Sequence, residues 1–280
     1  MMVWGVNLSA VKVLTESLDV LLVAALRMVM AAVVLMFLAF RARGLAPLRG
    51  QKIGCLLVLA AFFLVYCQQI AFAAGLARTS ATNAALVMAL GPAVSLSLEA
   101  LVYRRSVQTV QWLGVMLALL GVAVVVLNRP HAMLSAAAWG DLLIFGSVVF
   151  FALGGLFVQR LTREVSPLVV SLAVHVLGGT LLCIHVGSVV KTPMVQVLSL
   201  GAWQWSMAAF SAVLATGIGS IVWSRGISVI GVGQTATYLS WVPIFGVAFG
   251  ALFFNEQLTQ WHLFGLLGVI GGSLLVVWGR

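Results

Sequence analysis

Charged residues, and acidic residues in particular, are scarce in this sequence. Only 8% of the 280 residues are charged, Asp and Glu together number 6, and hydrophobic residues make up 63%. So little polar surface excludes a soluble globular protein of this length and indicates an integral membrane protein. The 15 Lys and Arg residues lie singly or in pairs between apolar runs, which is typical of topology signals and argues against nucleic-acid binding.

Cysteine is also rare. Cys55, Cys67 and Cys183 all fall within apolar segments and lack metal-ligand spacing. This pattern argues against a disulfide framework, and we expect no metal or other cofactor. We expect the three cysteines to pack as small buried apolar residues. No carboxylate lies in the middle of an apolar run, so the sequence shows no acid relay for proton antiport.

Long apolar runs fill most of the chain. A bilayer core about 30 Å thick needs about 20 apolar residues per helix, so each long run predicts one span. We interpret the short first run as a helix whose first turns are missing, because it lacks the positive n-region and cleavage site of a signal peptide. The sequence thus predicts an all-α integral membrane protein with ten transmembrane helices, over residues 1–14, 20–40, 53–77, 79–102, 107–127, 136–158, 167–190, 200–224, 231–254 and 258–278.

A stretch of about fifty residues occurs twice, at an offset of about 151 positions. The earlier part of each half repeats less clearly, at an offset of about 148, where Arg27 aligns with His175. We therefore predict two repeats of five helices each, over residues 1–128 and 129–280. The matching positions of the clearer stretch include Gly75, Ala85, Pro92, Gly114 and Gly121, which align with Gly226, Ala236, Pro243, Gly265 and Gly272.

The basic residues predict an orientation in which both termini are cytoplasmic. An odd number of spans per repeat then turns the second repeat upside down relative to the first. Inverted repeats are typical of transporters that hold a substrate near the midplane and expose it to each side in turn. This orientation places Lys12, Arg78, Arg129 and Lys191 outside and Arg41, Arg43, Arg49, Lys52, Arg104, Arg105, Arg160, Arg163, Arg225 and Arg280 inside.

Arg27 lies well inside a predicted span. A charge at that depth costs about 3 kcal/mol or more unless it faces protein or water, so we expect Arg27 to face the bundle interior. There it either pairs with a substrate carboxylate or has a structural role at helix ends. His175, its repeat counterpart, either relays protons near neutral pH or packs as a neutral residue.

Amide side chains occupy matching internal positions, because Asn83 aligns with Gln234. The third span carries Tyr66 and Gln69 near its middle. Unsatisfied amides are costly in lipid, so we expect these groups to face the bundle. They either bind the polar groups of a zwitterion or join helices to one another.

Aromatic residues predict an apolar wall beside these polar groups. Tyr238 and Trp241 share one helix face with Gln234. An apolar pocket with a few polar anchors is the usual composition of a small-molecule site. We expect Tyr238 and Trp241 to form such a pocket with Trp4, Phe72, Phe151 and Trp223.

Pro92 and Pro243 occupy matching positions in the middle of the fourth and ninth predicted helices. Each proline removes a backbone hydrogen bond and kinks its helix. We predict that both act as hinges.

Several short motifs point to a known family. The chain opens with Trp4-Gly5-Val6-Asn7 and continues with Ala25-Leu26-Arg27. Gly91-Pro92 and Val242-Pro243 each lead to a polar turn, which holds Asn255-Glu256-Gln257-Leu258 in the second case. Over essentially the whole chain, these motifs resemble the EamA-type transporters of the drug/metabolite transporter superfamily. The resemblance implies ten helices in two inverted halves and export of amino acids, metabolites or drugs from bacteria.

We therefore predict an exporter of small organic metabolites in the bacterial inner membrane. Amino acids are the substrate class favoured most, and aromatic amino acids are a plausible subset of it. The partners expected are the substrate and the lipid bilayer, with the protein a monomer or a homodimer. A polyspecific drug exporter and an uptake permease remain alternatives, whereas an intramembrane lipid-modifying enzyme would need clustered catalytic groups. The residues expected to bind substrate are Trp4, Asn7, Arg27, Tyr66, Gln69, Asn83, His175, Trp223, Gln234, Tyr238 and Trp241.

Overall fold

The computed structural model of the chain describes residues 1–42, 50–104, 108–127, 136–254 and 259–278. Within these ranges the regular structure is entirely helical. The α-helices are α1 (Met2–Ser17), α2 (Val20–Arg41), α3 (Gln51–Ala61), α4 (Gln68–Leu76), α5 (Ala81–Met88), α6 (Gly91–Tyr103), α7 (Thr109–Leu127), α8 (Ala136–Leu161), α9 (Pro167–Val189), α10 (Pro193–Leu198), α11 (Ala202–Ala209), α12 (Gly219–Ile230), α13 (Val232–Thr237), α14 (Val242–Phe254) and α15 (Gln260–Trp278).

Length and composition make the protein an all-α membrane protein. Six helical stretches of the described chain are long and apolar enough to cross a bilayer. Three shorter apolar helices accompany them, over Thr109–Gly121, Val242–Leu252 and Gln260–Val276. The six long stretches are Val20–Arg41, Gln51–Leu76, Ala81–Val102, Ala138–Leu161, Pro167–Val189 and Ala202–Ile230.

Two of the long stretches contain a π-helical segment. One segment, Phe62–Cys67, joins α3 to α4, and the other, Phe210–Ile218, joins α11 to α12. The two π-helical segments begin at positions that align in the two repeats at the offset of about 148. The second stretch runs on to Ile230, so the prediction that it ends at residue 224 was wrong. Arg225 lies within this helix, and its side chain is exposed at the helix surface, where its charge can reach water.

The two prolines stand where helices restart. In the fourth predicted span, α5 ends at Met88 and α6 begins with Pro92 in its first turn. In the ninth, α13 gives way to a 3₁₀ segment over Tyr238–Trp241, and Pro243 is the second residue of α14. Proline is well accommodated in the first turn of a helix, where its missing N–H has no acceptor to lose. The prolines therefore lie at the starts of new helices rather than in the middle of continuous ones, and a hinge motion stays a prediction.

Glycines hold α7 and α15 in close antiparallel contact. A Cβ on Gly121 would lie 2.8 Å from the carbonyl oxygen of Gly265, and Gly114 approaches Gly272 in the same way. Because the residue numbers rise on one helix as they fall on the other, the two helices run in opposite directions. Contact this close between backbones requires small residues.

The second helix, α2, packs against α9, also in antiparallel fashion. Met28 lies opposite Gly179, and about two to three turns further along α2, Leu35 and Ala39 pack with Leu172. The core therefore lies between helices that occupy equivalent positions in the two predicted repeats.

The three cysteines are more exposed than the sequence suggests. Cys55 and Cys183 are exposed on the helix surface and Cys67 is partly exposed, so the expectation of buried cysteines was wrong. All three lie within stretches long and apolar enough to cross a bilayer, where a small apolar side chain is equally compatible with contact to lipid. The boundary between residues 128 and 129 and the turn over residues 255–258 lie outside the described residues.

Candidate functional site

A cavity lies between the helices of the two halves. Its walls come from α1, α2, α4, α5, α6, α8, α9 and α12, together with the two π-helical segments and the 3₁₀ segment. Polar groups line it at several points, among aromatic and aliphatic side chains. The polar lining residues are Asn7, Arg27, Gln68, Gln69, Ser147, Ser171, His175, Thr216, Ser220 and Ser224.

Arg27 has a side chain that is only 2% exposed and donates to three neutral acceptors. Its Nε donates to Ser211 Oγ at 2.5 Å, its Nη1 to Gln69 Oε1 at 2.8 Å, and its Nη2 to Thr216 Oγ1 at 3.2 Å. The guanidinium also lies 5.9 Å from the ring centroid of Phe72, within the range of a cation–π contact. The charge is thus solvated by hydroxyl, amide and ring groups, and no described carboxylate pairs with it.

Ser211 connects Arg27 to α1. It accepts from Arg27 and donates to Asn7 Oδ1 in a short hydrogen bond. The π-helical geometry around Ser211 leaves backbone carbonyls available to side chains, because the regular i→i−4 hydrogen-bond pattern is interrupted. Thr216 Oγ1 donates to the Ser211 carbonyl at 2.8 Å, and Trp4 Nε1 donates to the Ala215 carbonyl at 2.8 Å. The second π-helical segment therefore positions both Thr216 and Trp4 at the cavity.

His175 and two serines form a second polar cluster. His175 Nδ1 lies 2.7 Å from the Ser171 carbonyl oxygen, which can only accept, so Nδ1 carries the proton. In the neutral imidazole, Nε2 is then the acceptor. Ser171 Oγ lies 2.9 Å from Ser224 Oγ, joining α9 to α12.

An aromatic wall faces these clusters. Trp4 packs against Trp223 with ring centroids 5.4 Å apart, and against Phe151 edge-on at 6.0 Å. Phe151 and Trp223 complete the triangle at 4.9 Å. Such contacts fix the rings relative to one another, which gives the cavity a rigid apolar surface beside its hydrogen-bonding groups.

Comparison with known proteins identifies the family. The sequence pattern of the EamA-like transporter family matches residues 1–127 and 138–278 of this chain. The chain belongs to the EamA-like transporter family. This EamA-like protein is therefore a multi-pass membrane transporter of small molecules, and the family points away from an enzyme.

Curated relatives and a solved structure support this assignment. The "Uncharacterized transporter YetK" of Bacillus subtilis (strain 168) is 24% identical over 99% of this chain and 84% of its own length. The "Probable amino-acid metabolite efflux pump" of Escherichia coli (strain K12) is 26% identical over 99% of this chain and 92% of its own. A crystal structure with 16% sequence identity shares the fold, with a TM-score of 0.75 over 98% of this chain and 92% of that one.

In this EamA-like transporter the cavity brings together six of the eleven predicted site residues. The hydrogen-bonding network and the aromatic wall described above contain all six, which are Trp4, Asn7, Arg27, Gln69, His175 and Trp223. Their convergence is a geometric finding, and their role in binding stays a prediction.

Two predicted residues lie inside the protein but away from the cavity lining. The side chain of Tyr66 is not part of the cavity lining, and its hydroxyl lies 2.8 Å from Nδ1 of His185. Asn83 is 9% exposed, and its backbone N–H donates to the N-cap Ser80 Oγ at 3.1 Å. Neither side chain is among the cavity-lining residues, so a role for either in binding stays a prediction.

The predicted face of the ninth span points outward. Tyr238 is 55% exposed, Trp241 is 56% exposed, and Gln234 is exposed as well. The position from this span that does line the cavity is Leu239. The expectation that Gln234, Tyr238 and Trp241 form the cavity wall was therefore wrong, because these three side chains are exposed whereas Leu239 is buried.

Sequence reasoning missed the hydroxyl groups of the site. Ser171, Ser211 and Ser224 carry no periodic signal in an apolar helix, where serine is common. Thr216 could have been identified from the sequence, because it aligns with Gln68 at the same repeat offset that pairs Arg27 with His175. Among the described residues, no group of three His, Cys, Asp or Glu side chains is arranged to hold a metal ion.

Proposed function

We propose that this protein exports amino acids or closely related metabolites across the bacterial inner membrane. The observation that carries the proposal is Arg27, a buried guanidinium at the cavity whose hydrogen-bond acceptors are all neutral. A buried cation without an anionic partner is costly, and a bound carboxylate offsets that cost through charge-assisted hydrogen bonds. In this proposal Arg27 receives the substrate carboxylate.

Other cavity residues complete a site suited to a small polar molecule with an apolar side chain. Asn7 and Gln69 hold the network around Arg27, while Ser171, Ser224 and His175 offer hydrogen bonds elsewhere in the cavity. The rings of Trp4, Phe151 and Trp223 supply the apolar surface. The amino-acid class is also favoured by the E. coli relative named as a probable amino-acid metabolite efflux pump.

The proposed architecture has ten spans in two inverted halves, with both termini in the cytoplasm. Antiparallel packing of α7 against α15, and of α2 against α9, supports the inversion, because equivalent helices in inverted repeats run in opposite directions. The matching π-helical segments support the equivalence of the third and eighth spans. In this architecture α1, α7, α14 and α15 take part in spans alongside the six longer stretches.

Two backbone tethers support alternating access. Lys12 Nζ near the end of α1 donates to the carbonyls of Leu76 at 2.8 Å and Thr79 at 3.0 Å. Near the end of α8, Gln159 Oε1 accepts from the backbone N–H of Val232 at 3.1 Å. Each tether joins the first span of a repeat to the turn between the third and fourth spans of the same repeat. Inversion of the repeats then places the two tethers on opposite membrane faces. Breaking one tether while keeping the other would open the cavity to one side of the membrane.

The test is transport by purified protein reconstituted in liposomes. Preloaded vesicles should exchange radiolabelled leucine, phenylalanine or their metabolites for the same unlabelled compound, and Arg27→Gln should abolish the exchange. Exchange by the parent protein and by Arg78→Gln, which changes an exposed arginine, provides the matched control. If no amino acid or amino-acid derivative is exchanged by well-folded protein, the proposal is wrong.

A further inference from the structure

The charges around the cavity are strongly one-sided. Arg27 supplies a permanent positive charge, and the lining includes no carboxylate from the described residues. Of the five described acidic residues, Glu16, Asp19 and Glu164 are exposed. Glu99 and Asp141 are buried elsewhere, and Asp141 accepts from Thr79 Oγ1 at 2.6 Å. A ligand in this cavity therefore meets a positive electrostatic field without a compensating negative group.

Most strong acceptors near Arg27 are already in use. Gln69 Oε1, Ser211 Oγ and Thr216 Oγ1 accept from the guanidinium, and Asn7 Oδ1 accepts from Ser211. A substrate ammonium group placed beside its own carboxylate would therefore lose its hydration shell close to a positive charge, and the acceptors left in the lining, such as His175 Nε2, are neutral. Desolvating a charged group without an oppositely charged partner is unfavourable, so this positive field favours an uncharged amide over an ammonium group at the same position.

A donor, by contrast, remains available in the wall. Trp223 is 4% exposed and lines the cavity, and its indole Nε1 has no hydrogen-bond acceptor among the described residues. A buried N–H without an acceptor is destabilising, and a ligand carbonyl would relieve that cost. Trp4, the neighbouring ring, already donates to the Ala215 carbonyl. Trp223 is therefore the indole of the wall that suits an uncharged acceptor on the ligand.

We propose that the preferred substrate is a net anion, namely an amino-acid derivative whose amino group is acylated. The carboxylate binds Arg27, and the acyl carbonyl accepts from Trp223 Nε1. This inference rests on the proposed function and narrows it from amino acids in general to N-acylated ones. It equally disfavours organic cations, because they would face Arg27 without a carboxylate to pair with.

The test compares ligands that share a side chain and differ in charge. At pH 6, N-acetylphenylalanine, phenylalanine and phenylalanine methyl ester carry net charges of about −1, 0 and +1. Dissociation constants come from ligand-induced stabilisation of the purified full chain in detergent. We expect N-acetylphenylalanine to bind at least about tenfold more tightly than phenylalanine, a difference of about 1.4 kcal/mol, and the ester not to bind. N-acetylleucine and leucine form a second pair.

Two variants separate the two contacts. Arg27→Gln should weaken N-acetylphenylalanine and 3-phenylpropionate alike, because both carry the carboxylate. Trp223→Phe keeps a ring but removes the N–H, so it should weaken N-acetylphenylalanine and leave 3-phenylpropionate within about twofold of the parent value. A loss of binding to both anions in Trp223→Phe would overturn the carbonyl contact.

The outcomes distinguish this inference from the proposed function. If phenylalanine and leucine bind as tightly as their acetylated forms and are exchanged by liposomes, the inference is wrong and the exporter proposal stands. If the methyl ester alone binds, both are wrong and a cation exporter replaces them. If neither free nor acetylated amino acids bind or exchange, both fail together.

Discussion

Gly114 and Gly272 meet where α7 crosses α15, and a Cβ added to Gly114 would lie 2.5 Å from the carbonyl oxygen of Gly272. That atom belongs to the backbone, so the contact cannot be relieved by a rotamer change. We expect Gly114→Ala to lower the free energy of unfolding by about 1–3 kcal/mol, the usual cost of overpacking. The measurement is the unfolding midpoint in detergent.

Gly146→Ala is the matched control for this packing prediction. Gly146 lies within α8, and a Cβ there has no heavy atom within 4 Å. Replacing glycine by alanine within a helix stabilises it by about 0.5–1 kcal/mol when space allows. We therefore expect the two substitutions to shift the midpoint in opposite directions, and equal shifts would show that the glycine contact does not hold the two helices together.

Arg27→Lys should impair substrate binding even though the positive charge remains. Lysine carries a single ammonium group, which cannot reach Ser211, Gln69 and Thr216 in the fork-like arrangement of a guanidinium. We expect the apparent affinity for a carboxylate substrate to fall at least about tenfold, equivalent to about 1.4 kcal/mol. Titration of purified protein with substrate measures this, and parent-like affinity in Arg27→Lys would argue that Arg27 is only structural.

Aromatic substitutions should separate the cavity from the outer surface. Phe151→Ala removes a ring that packs on both Trp4 and Trp223, so we expect a loss of affinity of at least about tenfold, in keeping with the usual cost of removing a buried aromatic contact. Tyr238→Ala and Trp241→Ala change exposed side chains and should alter the apparent KM of transport less than about twofold. A large effect of either exposed residue would restore the interpretation drawn from the sequence.

Lys12→Met and Gln159→Leu should have opposite effects on access to the cavity. Each removes one tether, and in the proposed architecture the tethers lie on opposite faces of the membrane. A cysteine placed at Val148, a cavity-lining residue, reports access in protein whose native cysteines are replaced by alanine. An impermeant thiol reagent added outside should label Lys12→Met faster and Gln159→Leu more slowly than the parent.

A shift in the same direction for both tether variants would contradict the inverted arrangement. Ser228→Ala serves as the control, because Ser228 Oγ donates only to the Arg225 carbonyl within its own helix. Its labelling rate should equal that of the parent.

Much of the fold could be predicted because, in a membrane protein, the length of the apolar runs is nearly sufficient to locate the helices. A lipid-exposed segment has to satisfy its backbone hydrogen bonds internally, so apolar runs become helices. The stretch ending at Ile230 was underestimated because Arg225 was interpreted as a loop residue, whereas an exposed side chain is compatible with a helix end near the membrane surface. The π-helical segments have no signature in hydrophobicity and could not be predicted.

The candidate site was predictable where burial is costly. Arg27 had to face the interior because its charge cannot face lipid, and the structure places it at the cavity. The ninth span was misjudged because a constant helical period was assumed through Tyr238 and Trp241, where the structure has a 3₁₀ segment. The hydroxyls of Ser171 and Ser211 were not identified, since short polar side chains in apolar helices are inexpensive and common.

The paired π-helical segments also bear on the history of the chain. A π turn closes over one more residue than an α turn, so each segment is equivalent to a single-residue insertion within a helix. The segments begin at Phe62 and Phe210, which are aligned positions of the two halves. One insertion in an ancestor of half the present length, followed by gene duplication, accounts for both. The geometry that presents Gln68 and Thr216 to the cavity would then be older than the two-repeat protein itself.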